Sequence, residues 1–296
     1  MTEPTTESDT ANDSRLRAYY ELTKPGIAGY VMITAGVSAF LGARGTIDML
    51  FAIHTMLGTG IATGGALTLN QYMERDIDAV MHRTRTRPLP SGRLNPIEAL
   101  VFGALLLVGG LFYLGTLVGI VPAALAGLSA AIYHLVYTPL KSRSYVATLA
   151  GSFPGALPML IGWTAGTGDF NSAGGWMFAI GYLWQLPHVL GLAWMLQKDY
   201  AKVGFKLIPQ GGARVIGRHM MVATGLLLPV SLAPTILGYT GMIYAGGAVV
   251  LGLAFVACAV GAAKDLTEET ARRVFFGSLL YHPLLLVLML FDTIRM

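Results

Sequence analysis

Apolar runs of about twenty residues recur along almost the whole chain, and nothing in it constrains the fold more. A helix needs roughly that length to cross the hydrocarbon layer of a bilayer. The runs near 26–44, 50–72, 96–118, 120–139, 145–165, 174–196, 219–239, 241–262 and 274–293 each reach it. In hydrocarbon every backbone amide must find an internal partner, so these runs are expected to be helices. Only 12% of the 296 residues are charged and 54% are hydrophobic, whereas a soluble domain carries about a quarter charged residues. The chain therefore reads as all-α, a polytopic membrane bundle of about nine transmembrane helices, with one domain over 15–296. Residues 1–14 are acidic and free of Lys and Arg, unlike the basic start of a signal peptide, and read as a disordered cytoplasmic tail.

Charge then gives orientation. Short cytoplasmic loops collect Lys and Arg, and all but Arg44 and Arg295 of the 20 basic residues fall on one side of the nine predicted crossings. That side, with the N-terminus, is expected to be cytoplasmic in a cell or inner membrane, and the C-terminus outside. The basic charge sits in loops, with no soluble basic domain to dock a duplex, so a nucleic-acid partner is excluded. The single cysteine, Cys258, excludes an intrachain disulfide and any paired-cysteine motif.

The end of the second run carries Asn70, Glu74 and Asp78 at steps of four residues, which puts them on one helical stripe about 6 Å apart. Asp76 points away. Carboxyls facing lipid cost about 2.5–3.5 kcal/mol each even on the lenient insertion scale, so the stripe should face protein or a wet cavity. Such oxygens suit Mg²⁺, which is usually held by one or two carboxylates, waters and substrate phosphates. Arg83 and Arg87 follow within ten residues, and guanidinium forks bind phosphate. A bland alternative is a helix end neutralised by nearby arginines; Asn70, which ion pairing does not need, favours the metal-bridged diphosphate.

A second cluster repeats the chemistry with one carboxylate, Asp199, between Lys198 and Lys202. His188 lies eleven residues earlier, on the same helical face and about 16 Å deeper. An intramembrane histidine is more often a packing residue than a ligand, and this holds for His188 and His134 alike. Tyr137 and Lys141 stand one turn apart; on its own Lys141 would be read as a snorkelling lysine. Gly151 and Gly155, four apart, suggest a helix-packing face.

Taken together these motifs resemble the UbiA superfamily of intramembrane prenyltransferases, and its haem-modifying branch in particular. The resemblance is carried by Leu22-Thr23-Lys24-Pro25, Asn70 to Asp78 with Ile77-Asp78-Ala79-Val80-Met81, Arg83-Thr84, Tyr137-Thr138-Pro139-Leu140-Lys141, Gly162-Trp163, Trp184-Gln185-Leu186-Pro187-His188 and Lys198-Asp199-Tyr200. Glu74 stands where such proteins usually carry Asp, Gln71 where they carry Asn or Asp, and Gly26 where they carry Arg. What the resemblance implies is a bundle around a central cavity that transfers a farnesyl group from farnesyl diphosphate to a vinyl group of haem b. It implies Mg²⁺ on Asn70, Glu74, Asp78 and Asp199, and diphosphate on Arg83, Arg87, Lys141, Lys198 and Lys202. Haem would meet His188, Gln185, Trp184, Tyr137 and His134, and a haem A synthase or terminal oxidase would receive the product. Competing readings are a related enzyme acting on a hydroxybenzoate, naphthoate or chlorin ring, and a haem or isoprenoid carrier.

Overall fold

The computed structural model describes residues 7–295, with side chains from residue 15. Among them the chain is helical almost throughout, and eight helices are long and apolar enough to cross a membrane by length and composition. In order these segments are α1 (Glu7–Leu22), α2 (Pro25–Gly42), α3 (Met49–Met73), α4 (Arg75–Val80), α5 (Pro96–Leu117) and α6 (Ile120–Ala131). A π-helical turn (Ile132–Tyr137) and α7 (Thr138–Leu140) prolong α6. Then come α8 (Val146–Thr167), α9 (Ser172–Met195), α10 (Gln197–Lys202), α11 (Gly212–Val230), α12 (Ala233–Ile236), α13 (Met242–Lys264) and α14 (Glu268–Phe291). The sixth predicted crossing, α9, is long enough at 24 residues but is diluted by Gln185, Pro187, His188 and several glycines. The seventh begins at Gly212 rather than near 219, so Arg214 and Arg218 sit on its first turns rather than in a loop. Of the expected disordered tail, residues 1–6 lie outside the described residues. Residues 7–14 fall within α1 (Glu7–Leu22).

Helix packing follows the chain: α2 lies against α3 and α8, α3 against α5, α8 against α9, α11 and α14 against α9, and α13 against α11 and α14. Without a hydrophobic drive between helices in lipid, close backbone approach supplies the contact. A Cβ at Gly162 would collide with the carbonyl of Ala35, and one at Gly65 with the backbone of Leu107. The outer surface is correspondingly apolar, with Leu105, Val108, Phe112, Ile243 and Val250 all exposed.

The two ends of the bundle differ as the charge pattern requires. At one end the loop after α2 and the end of α14 both meet the segment from α12 into α13: Arg44 donates to the Gly238 carbonyl at 2.7 Å, and Asp292 accepts from the Tyr244 amide at 2.7 Å. The other end gathers α1, α4, α10 and the basic loops.

Candidate active site

The stripe survives a break in its helix. α3 stops at Met73 and α4 starts at Arg75, with Glu74 between them at φ −100, ψ 8. Even so, the Glu74 amide bonds to the Asn70 carbonyl at 2.9 Å and the Asp78 amide to the Glu74 carbonyl at 2.7 Å, so the four-residue register passes through. Asn70, Glu74 and Asp78 are 1%, 6% and 1% exposed. The Asp76 side chain, pointing away, is 87% exposed.

Buried carboxylates need partners, and each has a cation. Lys141 Nζ lies 2.7 Å from Glu74 Oε1, and Arg87 Nη1 lies 2.6 Å from Asp78 Oδ2. Removing one member of such a buried pair typically costs about 3–5 kcal/mol. The Arg87 loop is tied back by Thr84, whose hydroxyl donates to the Asp78 carbonyl at 2.8 Å. Asp78 Oδ1 remains buried without any hydrogen-bond partner. No cluster of three His, Cys, Asp or Glu occurs among the described residues, so a structural-zinc type of centre does not fit. A hard ion shared between two carboxylates, the Asn70 amide and a substrate's phosphates does fit, and the orphaned oxygen supplies a ready ligand.

The wall opposite the stripe comes from the π-helical turn and the residues after it. Tyr133 donates to Asn70 Oδ1 at 3.2 Å, Asn70 Nδ2 donates to Thr138 Oγ1 at 3.4 Å, and Lys141 reaches Glu74 one turn on. Lys141 Nζ also lies 4.4 Å from the Tyr137 ring centre. Burial opposes the Lys141 ammonium, but the Tyr137 and Glu74 groups outweigh it and lift its pKa above the ordinary lysine value. Lys24, at the start of α2, enters the same electrostatic box with a left-handed backbone at φ 46. Burial first, then the charges of Arg87 and Lys141, lower its pKa to about 7 against the pull of Asp78 and Glu74. The sequence marks Lys24 only as part of a motif; its charge neighbours Glu74, Asp78, Arg87 and Lys141 lie fifty or more residues away and carry no local signal.

The second cluster is more open. Asp199 pairs with Lys202 at 2.9 Å, its side chain 20% exposed, and Lys198 is exposed. The Lys202 hydrogen bond, against some opposing burial, and then the charges of Lys202 and His82 and the Arg83 backbone hold the Asp199 carboxyl below its usual range. The two basic loops therefore meet over the site, with Arg83 exposed at their junction.

Beneath the stripe runs a cavity of about 220 Å³ between α2, α3, α6, α8 and α9. Its lining is chiefly apolar, with Tyr133, Tyr137 and Gln185 among the polar groups. Gly151 and Gly155, expected to form a packing face, make room for the side chains of Tyr137 and Gln185. The predicted acceptor-side residues thus divide. Gln185 and Tyr137 face the cavity. His134 lies between two carbonyls, Nδ1 2.7 Å from Ala130 and Nε2 2.9 Å from Ala66, and its ring N–H donates to one of them. His188 bonds Ser278 Oγ through Nδ1 at 2.8 Å and stacks on Trp184, whose indole donates to the Ser278 carbonyl at 2.8 Å. His282 also stacks on Trp184, 4.4 Å between ring centres, with Tyr30 hydrogen-bonded to it. His282 has no family-like block around it in the sequence, and only the packing of α14 on α9 reveals it.

Residues 31–281 match the UbiA prenyltransferase family. The chain is 39% identical over 288 residues to the protoheme IX farnesyltransferase of Solibacter usitatus, covering 94% of this chain and 99% of that one. It is 41% identical over 277 residues to the protein of the same name from Salinibacter ruber, covering 93% and 98%. Among solved structures, a digeranylgeranylglyceryl phosphate synthase superposes with a TM-score of 0.80 at 19% identity, over 94% of this chain and 98% of that one. A UbiA homologue from Archaeoglobus fulgidus bound to GPP and Mg²⁺ gives 0.64 at 13% identity, over 92% and 99%.

Proposed function

The chain belongs to the UbiA prenyltransferase family, and we propose that within it the chain moves a farnesyl group from farnesyl diphosphate to a vinyl group of protohaem IX. Similarity at 39% and 41% identity, over nearly the whole of each chain, to proteins named for that activity supports the acceptor. The observation that carries the chemistry is the junction at Tyr133, where a buried, cation-paired carboxylate stripe opens onto an apolar cavity.

Asn70, Glu74 and Asp78, with Asp199 from the second cluster, would hold Mg²⁺, which neutralises charge on the departing diphosphate when bound. The UbiA homologue bound to GPP and Mg²⁺ supports a divalent metal in the reaction. In this reading Arg83, Arg87, Lys141, Lys198 and Lys202 offer donors to the diphosphate. Lys141 and Arg87 are bonded to the two buried carboxylates, and an incoming diphosphate gives both cations a new partner. Such preorganised charge typically contributes a hundredfold or more to rate. The C1–oxygen bond of the prenyl group breaks as its electrons pass to diphosphate. The cavity walls keep water from the allylic cation, the terminal vinyl carbon bonds to C1, and water adds to the cation left beside the macrocycle, losing a proton. In this reading Trp184 and His188 serve the haem side, with Gln185 and Tyr137 at the boundary. His188 engages Ser278 through Nδ1, which leaves Nε2 for the acceptor.

The end bearing the carboxylates faces the cytoplasm in this reading, since it carries nearly all the basic residues. Cysteines introduced at Arg85 or Lys202 should label only from that side, and labelling from outside sealed cells would reverse the orientation. The reaction is tested by diphosphate release from farnesyl diphosphate and Mg²⁺. Release that depends on added haem b is expected; release with a hydroxybenzoate or naphthoate and none with haem would move the chain to another acceptor class. Haem affinity should fall in His188→Ala while farnesyl diphosphate binding stays near wild type.

A further inference from the structure

The π-helical turn at Ile132–Tyr137 has a geometric consequence for Asn70. Five residues along an α-helix advance about 500°, leaving side chains at i and i+5 roughly 140° apart. A turn with i to i+5 hydrogen bonding brings them back to the same side. Tyr133 and Thr138 are such a pair, and both reach Asn70, at 3.2 and 3.4 Å. The Thr138 hydroxyl also donates to the Tyr133 carbonyl at 2.8 Å. Its one hydrogen is therefore spent, and toward Asn70 it only accepts. This fixes the amide: Nδ2 faces Thr138 and Oδ1 faces the Tyr133 hydroxyl, which occupies one of the two Oδ1 lone pairs. His134 pins the turn to α3 at the Ala66 carbonyl, one turn before Asn70, and Lys141 pins it at Glu74, one turn after. The clamp is thus held in register at three successive levels of the stripe. The Tyr133 ring, stacked on Tyr137 at 5.4 Å, also lines the apolar cavity.

We propose that Tyr133 is a positioning residue for the diphosphate site: its hydroxyl, brought round by the π turn, holds the Asn70 amide oxygen toward the metal-bridged diphosphate. This rests on the function proposed above. Groups that orient a metal ligand from behind typically cost about 10- to 100-fold in metal affinity when removed. The test is binding of Mn²⁺, followed by electron paramagnetic resonance, in the presence of farnesyl thiodiphosphate, which resists departure. Tyr133→Phe keeps the ring and its stacking while deleting the donor. Its Mn²⁺ affinity should fall about tenfold, with a thermal midpoint near that of wild type. Tyr133→Phe combined with Asn70→Ala should bind no more weakly than Asn70→Ala alone, since the hydroxyl acts only through that amide. Unchanged Mn²⁺ affinity in Tyr133→Phe, or fully additive losses in the double variant, would overturn the assignment while leaving the proposed function standing. Failure of the wild-type protein to bind Mn²⁺ with the analogue would instead overturn the metal site itself, and the role of Tyr133 with it.

Discussion

The two carboxylate clusters are made by the same backbone device and differ in burial. Glu74, at φ −100 and ψ 8, and Leu196, at φ −99 and ψ 10, each interrupt a long helix for one residue. In both places the four-residue hydrogen bonds continue on either side. Each break sets a short helix carrying carboxylate and basic residues across the mouth of the bundle. The first cluster is sealed, with Asp78 1% exposed and paired to an arginine nine residues on; the second keeps its Asp199 side chain 20% exposed, paired within its own turn to Lys202. A buried carboxylate cannot be left without a partner, so the first cluster is both scaffold and site. An exposed carboxylate whose partner is local owes little to the fold and is free to serve substrate alone.

That difference sets the largest expected effects. Asp78→Ala or Glu74→Ala should lower turnover by at least about a hundredfold. Glu74→Ala should also lower the thermal midpoint, because Lys141 is left buried and unpaired at a cost of about 3–5 kcal/mol. Asp199→Ala removes a proposed Mg²⁺ ligand and should weaken farnesyl diphosphate binding by at least about tenfold, since even the groups that orient such ligands are worth that much, with an unchanged midpoint in a thermal scan. Equal destabilisation by Glu74→Ala and Asp199→Ala would dissolve the contrast.

Lys24 sharpens the comparison through pH, since it belongs to the sealed cluster alone. Its pKa of about 7 in the free site means that the ammonium loses its charge as pH rises above that value. A bound diphosphate favours the charged form, so binding above pH 7 requires proton uptake. Affinity for farnesyl diphosphate should then fall with rising pH, by at most about tenfold per unit. Below pH 7 the contribution of Lys24 should be constant, and subtracting the profile of Lys24→Met from that of wild type should isolate this slope. Identical profiles would show that Lys24 does not face the diphosphate. The smallest effect is expected at Asp76, whose side chain is 87% exposed; Asp76→Ala should change turnover by less than about twofold, in line with surface substitutions generally.

The stripe was legible because a helix repeats every 3.6 residues, and a four-residue spacing needs no knowledge of the rest of the chain. The crossings were legible for the same local reason, since hydrophobic length is all that a span requires. Lys141 shows where local information stops. Its helical neighbours suggest a snorkelling lysine, but 67 residues separate it from the Glu74 carboxylate that it neutralises. The π turn is equally silent, because Ile132 to Tyr137 reads as ordinary helix and only the double contact on Asn70 exposes its purpose. His282, stacked beneath Trp184, required the packing of the last helix on α9. The resemblance named the residues of the acceptor side, but not which of them face the cavity and which look toward α14.

The central claim is that this sealed, cation-paired stripe drives prenyl transfer to haem. The most direct measurement is the mass of the product formed when the purified protein in lipid is given haem b, farnesyl diphosphate and Mg²⁺. The expected product is heavier than haem b by one farnesyl group and one water, and it should not form with Asp78→Ala. Unmodified haem b alongside a prenylated phenolic or naphthoic acid in a parallel reaction would contradict the claim.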